Sequence, residues 1–539
     1  MPELLPYTTV SSGGLDLSAP PYELLRTPNV ALLLNNFEVA VSGGYRRING
    51  FTLYGTTSAT RPEGANKILG IEPYALGVVV CVDTSVYYSE DGITWLQINK
   101  DTTSGGKTAA QMPATAALDR PNQGRAQMKM MTAPTGRTTT TYGVLNVATG
   151  DDNLARFRIE GTGGSRTFHW EEYTTGAPTG ATYIENHEKH MCVVDSVNAP
   201  STVYYSNNND DSDYTGTGSG SIVVPEKIVG IKSFRSALYI FCDTAIYKLV
   251  NINDASTIAI ETVTARLGCV SGYTIQEIGG DLIFLATDGL RTIAGTERIS
   301  DVELGTLSHK IQPLLKDILD DSADFTFAST VIRNKNQYRL FYTNESNEYV
   351  TQKGLIGTLR PNLETGTMAF EWSTTLGIEV SALASGSDAG GEEVSYHGDL
   401  DGYVFTHDSG STFNGTNIVY TYQTPDIDFG DAGLGKTLHY MLLSIKPEGA
   451  QDIKLKVSYD FNSPSLVQPA QQDVGTVSFP SYYGTGVYGT ATYGSITPIK
   501  RVNLRGSGTS AAFKFSGVDA NPPFTITGFY ITFVPSDRR

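Results

Sequence analysis

The chain has 539 residues, with 39 Lys and Arg against 56 Asp and Glu, a net charge of −17 at pH 7. That balance disfavours a domain that grips nucleic acid, because phosphate binding is driven by counterion release onto clustered Lys and Arg. Charged residues are only 18% of the chain, below the roughly 25% of an average soluble protein, while 56 Gly, 24 Pro, 30 Tyr and 21 Phe are the makeup of short strands joined by many turns.

A mainly β protein is therefore expected, and at roughly 100–200 residues per domain the length allows about three domains. The opening Met1-Pro2-Glu3-Leu4-Leu5-Pro6 has no basic start, apolar run or small-residue cleavage site, so it does not read as a signal peptide, and folding in the cytoplasm is expected. Next comes an N-terminal arm, residues 1–60. Within it Gly43-Gly44-Tyr45-Arg46-Arg47 reads as a turn.

An internal repeat follows. Lys67-Ile68-Leu69-Gly70-Ile71 and Lys227-Ile228-Val229-Gly230-Ile231 each lead into an apolar strand and then into Asp83-Thr84-Ser85-Val86-Tyr87 or Asp243-Thr244-Ala245-Ile246-Tyr247. Both copies read strand, Asp-Thr turn, strand. Looser copies turn at Thr287-Asp288-Gly289, at Asn334-Lys335-Asn336 and at Asp401-Gly402, and Asp-Gly between alternating apolar residues is a strong hairpin signal. Recurrence every ~40–50 residues is the period of four-stranded propeller blades. Residues 61–406 are thus expected to form a degenerate β-propeller of about six or seven blades, with Thr102 to Thr141 as a candidate insertion. The alternative is a pair of β-sandwiches whose hairpins resemble one another by coincidence.

The longest apolar stretch, around Tyr74 to Val82, is far short of the ~20 residues that span a bilayer. Cys81, Cys192, Cys242 and Cys269 are too scattered for a disulfide framework and read as buried free thiols. One segment has a helical period: Leu304, Leu307, Ile311, Leu314, Leu315, Ile318 and Leu319 predict a helix near 304–319, kinked or in two parts at Pro313. After Thr406 the strands lengthen and alternate apolar with polar residues, as in Thr437 to Pro447 and Thr525 to Val534, which predicts a β-sandwich-like domain over 407–539. Within it Tyr482, Tyr483, Tyr488 and Tyr493 punctuate a Tyr-Gly loop, with Tyr supplying adhesive surface and Gly supplying bends.

Chemistry is sparse in this sequence. Gly484-Thr485-Gly486-Val487-Tyr488-Gly489 matches a dinucleotide glycine pattern, but no helix follows to receive a pyrophosphate. His187 and His190 lack a third metal ligand and read as a solvated strand entry, and His169, His309, His397, His407 and His439 read as dispersed surface residues. Asn207 to Asp213 is rich in oxygen ligands without the positions of a calcium loop. No catalytic residue, metal or cofactor is nominated, and no enzymatic activity is expected.

The segments Gly13-Gly14-Leu15-Asp16, Asn35-Asn36-Phe37-Glu38-Val39 and Gly43 to Phe51 resemble the start of the tail nozzle proteins of short-tailed bacteriophages, also called tail tubular protein B. The similarity continues in Lys227 to Phe241, Leu267-Gly268-Cys269-Val270, Gly279 to Ala294 and Thr424 to Gly430. The same opening is similar to DNA-stabilisation proteins of the tail hub. The resemblance implies a virion protein, assembled in the host cytoplasm as a homohexamer below the portal and adaptor rings. On that reading the Gly13 to Phe51 arm, with Gly43, Gly44, Tyr45, Arg46 and Arg47 as the candidate assembly interface, is expected to wrap a neighbouring subunit or the adaptor, the alternative being a first strand that closes the chain's own propeller; the loop with Tyr482, Tyr483, Tyr488 and Tyr493 is the candidate channel or interface loop. Its channel would retain packaged double-stranded DNA and pass it without sequence-specific binding, with tail fibres and the host surface as further partners. A rival reading is a glycan-binding or receptor-binding tail adhesin built on a propeller.

Overall fold

The computed structural model describes residues 4–538 apart from 56–59, 99–107, 109–124, 133, 135–141, 151–152, 174–175, 295–306, 345–351, 362–365, 389 and 476–498. Antiparallel hairpins dominate, and successive hairpins assemble into sheets around one axis. The first blade is Ile68–Tyr74, Gly77–Val82, Ser85–Ser89 and Leu96–Gln97; the second runs from Gln127–Met131 to Thr167–Glu172. The third runs from Ala181–His187 to Gly220–Val223, the fourth from Ile228–Phe234 to Ala259–Thr264, and the fifth has Gln276–Ile278, Asp281–Ala286 and Gly289–Thr292. The last has Ala382–Ser387, Glu393–Gly398 and Val404–His407, with Phe51–Leu53 as its outer strand. These six sheets stand separately. The position between the fifth and the last is filled by Thr326–Ile332, Gln337–Thr343, Lys353–Pro361 and Met368–Leu376, one end of a nine-stranded sheet. The propeller thus holds, and Gln127–Met131, inside the expected insertion, is an inner blade strand instead.

The repeat has a physical cause. In both perfect copies the first hairpin carries the same register shift, between Ile68 and Gly70 and between Ile228 and Gly230. A Cβ on Gly70 would lie 2.8 Å from the Ala126 carbonyl oxygen, and one on Gly230 2.7 Å from Gly272 Cα. Each glycine lets the segment entering the next blade pass against the strand.

The expected helix is in two parts among the described residues: a 3-10 turn at His309–Ile311, then an α-helix at Gln312–Asp320. Pro313 lies in the first turn, where its missing N–H has no intrahelical acceptor to lose. Leu315 and Ile318 are buried against the core that spans the fifth blade and the C-terminal domain. Leu304 lies outside the described residues. All four cysteines are buried thiols outside any disulfide, and burial pushes the Cys242 and Cys269 thiols up to about 12.

The C-terminal domain is a sandwich. One layer is the other end of the nine-stranded sheet, Leu33–Asn35, Ile418–Gln423, Ala511–Asp519, Lys454–Tyr459 and Gln472–Asp473. The second is a seven-stranded sheet centred on Leu434–Pro447 and Phe524–Arg538. Between them Phe37 meets Tyr420 edge-on at 5.7 Å and Tyr45 meets Tyr422 at 4.8 Å, in the edge-to-face geometry that aromatic quadrupoles favour.

Among the described residues of 1–60, the strands belong to the two domains and form no separate arm. Leu5–Val10 pairs with Phe524–Arg538, and the Phe37–Val39 and Tyr45–Arg47 hairpin extends the same sheet. Leu33–Asn35 joins the domains, parallel to Met368–Leu376 on one side and antiparallel to Ile418–Gln423 on the other. Asn36, in the left-handed region at φ 57°, donates from Nδ2 to the carbonyls of Leu376 and Val419, 2.7 Å each, and accepts from the Leu376 N–H at 2.9 Å.

The expected interface turn is largely internal, which corrects its reading as a surface for a neighbour. Tyr45 and Arg47 are fully buried, and the Tyr45 hydroxyl donates to the Ser12 carbonyl at 2.7 Å. Gly44 is buried at φ +90°, with the Ile526 carbonyl 2.7 Å from where a Cβ would stand; Gly43 is half-buried. Arg46 bridges Glu38 at 2.8 Å and Glu448 at 2.6 Å. Arg47 Nη1 donates to Asp519 Oδ1 at 2.8 Å, and Nη2 reaches the Asn521 and Ser411 carbonyls. An ammonium cannot reproduce that fork, so Arg47→Lys is expected to lower stability by roughly 1–2 kcal/mol, read as a fall in the urea midpoint.

The histidines also differ from expectation. His309 and His439 are exposed, but His169, His187, His190, His397 and His407 are buried. His187 and His190 flank a tight turn through Glu188 and Lys189, both at positive φ. His187 Nδ1 pairs with Ser233 Oγ at 2.9 Å, and His190 Nδ1 with the Ser206 carbonyl at 2.6 Å. Arg339 Nη1, from the adjacent nine-stranded sheet, lies 3.0 Å from Nε2 of His407 in the last blade, and His407 Nδ1 lies 3.3 Å from His397 Nδ1. Arginine only donates, so His407 Nε2 accepts and Nδ1 carries the proton. Burial pushes the His397 pKa down to about 3 and, with Arg339 adjacent, holds His407 well below its usual value. Both stay neutral when folded, so their contribution is full above the unfolded pKa near 6.5 and is lost as pH falls from there toward 3. Between pH 6 and pH 5 the wild type is expected to lose about 1 kcal/mol more stability than His397→Phe, as measured by denaturant titration at each pH.

Candidate functional site: the axial cavity

The inner strands of the propeller converge on a cavity of about 220 Å³. The repeat places its charge. One residue beyond the shared Gly-Ile of the two perfect copies, the first blade carries Glu72 and the fourth carries Lys232, and both line the cavity. Lys129 from the second blade and Glu185 from the third stand between them in chain order. Four successive blades therefore present acid, base, acid and base to the axis.

Glu185 Oε2 lies 3.5 Å from Lys129 Nζ and 3.6 Å from Lys232 Nζ. Attraction to Glu185 raises the Lys129 pKa, whereas repulsion from Lys129 lowers that of Lys232. Burial pushes Glu72 up to about 7, against the pull of both lysines. Arg125, which leads into the second blade, lays its guanidinium 3.6 Å from the centre of the Tyr273 ring. It donates to the carbonyls of Phe327 at 2.5 Å and Ser381 at 3.2 Å, tying the second blade to the two positions farther round the ring.

A second cleft, of about 520 Å³, opens where the last blade meets the sandwich. Phe51 and Phe413, stacked at 5.3 Å, line it with Glu379, Asp399 and Asp401. Burial pushes the Asp399 carboxyl up to about 6.

None of these charged groups was nominated from the sequence. The legible signal was a Glu or Lys where an inner strand's apolar run breaks off after the repeat. The Tyr-Gly loop with Tyr482, Tyr483, Tyr488 and Tyr493 lies outside the described residues, as does the glycine pattern at 484–489. In the Asn207 to Asp213 segment, Asp211 is buried and pairs with Arg156 Nη1 at 2.8 Å, and Asp213 caps a turn by accepting from the Gly216 N–H at 2.8 Å. Among the described residues no group of three or more His, Cys, Asp or Glu is placed to hold a metal ion.

No protein-family model matches this chain, and no curated protein does. Among solved structures, the AfRom2 CNH domain is similar at a TM-score of 0.37 and 12% identity, over 67% of this chain and 99% of that one.

Proposed function

We propose that the chain is a structural virion protein, the tail nozzle of a short-tailed phage, whose hexameric ring retains packaged DNA and conducts it outward during ejection. The observation that carries this reading is where the segments resembling that family lie. Asn35-Asn36 sits at the joint of the domains, Glu38 and Arg46 in the ion pairs around it, and Phe51 in the closing strand of the propeller. They link the propeller to the sandwich through strand pairings and ion pairs, which is compatible with a conduit subunit. The axial cavity of the propeller is far too small for a duplex, so the channel would run between subunits. Acidic net charge suits such a channel, since a passing polyanion should not be held. Val41-Ser42, exposed just before the candidate interface turn and not part of it, would be the neighbouring surface open to the adaptor or another subunit.

The test is oligomeric state and shape, by light scattering and negative-stain class averages of the purified chain with and without the adaptor ring. A sixfold ring with an axial hole is the expected result. A monomer that stays monomeric beside that ring would overturn it. The adhesin reading draws on the second cleft, where the largely buried rings of Phe51 and Phe413 stand beside Glu379, Asp399 and Asp401, a pairing of aromatic and carboxylate groups that suits sugars; saturable binding on a glycan array, without ring formation, would favour it.

A further inference from the structure

The axial cavity has more cationic than anionic capacity. Lys129 and Lys232 share one carboxylate, Glu185, at 3.5 and 3.6 Å, beyond the 2.7–2.9 Å typical of a charge-assisted hydrogen bond. Each ammonium carries three donors, so Glu185 leaves donor capacity on both. Arg125 adds a third cation to the same walls. Among the described residues its Nε has no acceptor, and the Tyr273 hydroxyl, on the ring beneath it, is unpartnered too. Leaving such buried atoms unmet is unfavourable, and a ligand oxygen would relieve it. Glu72 is the other carboxylate on these walls, and with its pKa pushed up to about 7 it offsets at most one of the three cations.

We propose that this cavity binds a small dianion bearing several acceptor oxygens, of the size of inorganic phosphate or a short dicarboxylate, between Lys129, Lys232 and the wall formed by Arg125 and Tyr273. Such a ligand gives the two ammonium groups oxygens at hydrogen-bond distance without displacing Glu185. Its charge meets the excess of cations, and a cavity of about 220 Å³ has room for it. A net charge of −17 repels anions from the molecule as a whole, so saturable uptake has to come from this local arrangement. The site belongs to the single propeller and does not depend on ring formation.

Isothermal titration of the full chain with inorganic phosphate, and separately with succinate, at matched ionic strength tests it. One saturable site per chain for at least one of them is expected, and which one binds separates an oxyanion from a dicarboxylate ligand. Affinity should fall at least about tenfold in Lys129→Gln/Lys232→Gln and rise about threefold in Glu72→Gln, as removal of attracting and repelling charges requires. No saturable uptake of either anion, or unchanged affinity in a natively folded double-lysine variant, would overturn the proposal. Should that variant not fold, Glu72→Gln decides: tighter binding supports the site, and equal or weaker binding refutes it.

Discussion

Glu38→Ala is expected to lower the stability of the chain by roughly 3–5 kcal/mol, the cost of removing one partner from a buried ion network. The Glu38 carboxylate, 2% exposed, accepts from Arg46 Nη1 at 2.8 Å, Lys335 Nζ at 3.0 Å, Arg339 Nη2 at 3.0 Å and Gln337 Nε2 at 3.1 Å. Those donors belong to different parts of the fold: Arg46 to the N-terminal hairpin, the rest to the propeller end of the nine-stranded sheet. Asp408, at the end of the last blade, holds the far side of Lys335 and Arg339 at 2.9 Å each. Burial alone would raise the Asp408 pKa, but the two cations outweigh it and hold the carboxyl well below its usual range. With Glu38 gone, one carboxylate faces two cations and Gln337 loses its acceptor. Denaturant titration of Glu38→Ala, Arg339→Met and the double variant checks this. The double variant should cost less than the two single changes added, whereas a Glu38→Ala chain within 1 kcal/mol of wild type would show that the network contributes little.

Gly50→Ala should open the ring of blades. A Cβ at Gly50 would lie 1.8 Å from the Thr412 carbonyl oxygen and 2.4 Å from its carbon, a clash with backbone that no rotamer relieves. The next residues, Phe51–Leu53, pair with Val404–His407 to complete the last blade. Phe51 stacks on Phe413 and meets His397 edge-on at 4.9 Å. The strand must therefore shift or detach, at a cost of roughly 3 kcal/mol, the upper end of ordinary overpacking. Hydrogen exchange should lose its protection in 51–53 and 404–407 first. Gly164→Ala, at an exposed position where a Cβ meets nothing within 4 Å, serves as the control and should stay within about 0.5 kcal/mol of wild type. Unchanged protection in Gly50→Ala would mean that the strand is not what closes the propeller.

Much of the propeller was legible because its cause is local. Asp83-Thr84 and Asp243-Thr244 turns, apolar alternation and a shared Gly-Ile are properties of short segments, and each hairpin forms from neighbours in sequence. The helix was legible in its second half for the same reason, with Pro313 marking the first turn. The N-terminal pairings are not legible because the partners are hundreds of residues away: Leu5 faces Phe533, and Asn35 pairs with Thr374 on one side and Thr421 on the other. Nothing in a three-residue strand announces such pairings. Polar residues such as Arg47, His397 and Glu38 read as surface by type, and only distant partners make their burial tolerable.

Turn chemistry and side-chain periodicity act within a few residues, and they suffice to specify a mainly β chain of repeated hairpins followed by longer alternating strands. How the ends meet depends instead on tertiary packing. It placed the N-terminal strands inside the C-terminal sandwich and used Phe51–Leu53 to close the propeller. It also gathered Glu72, Lys129, Glu185 and Lys232, spread over four blades, around one axis. Contacts of that span are set by the packing of whole sheets, which no short stretch of residues encodes.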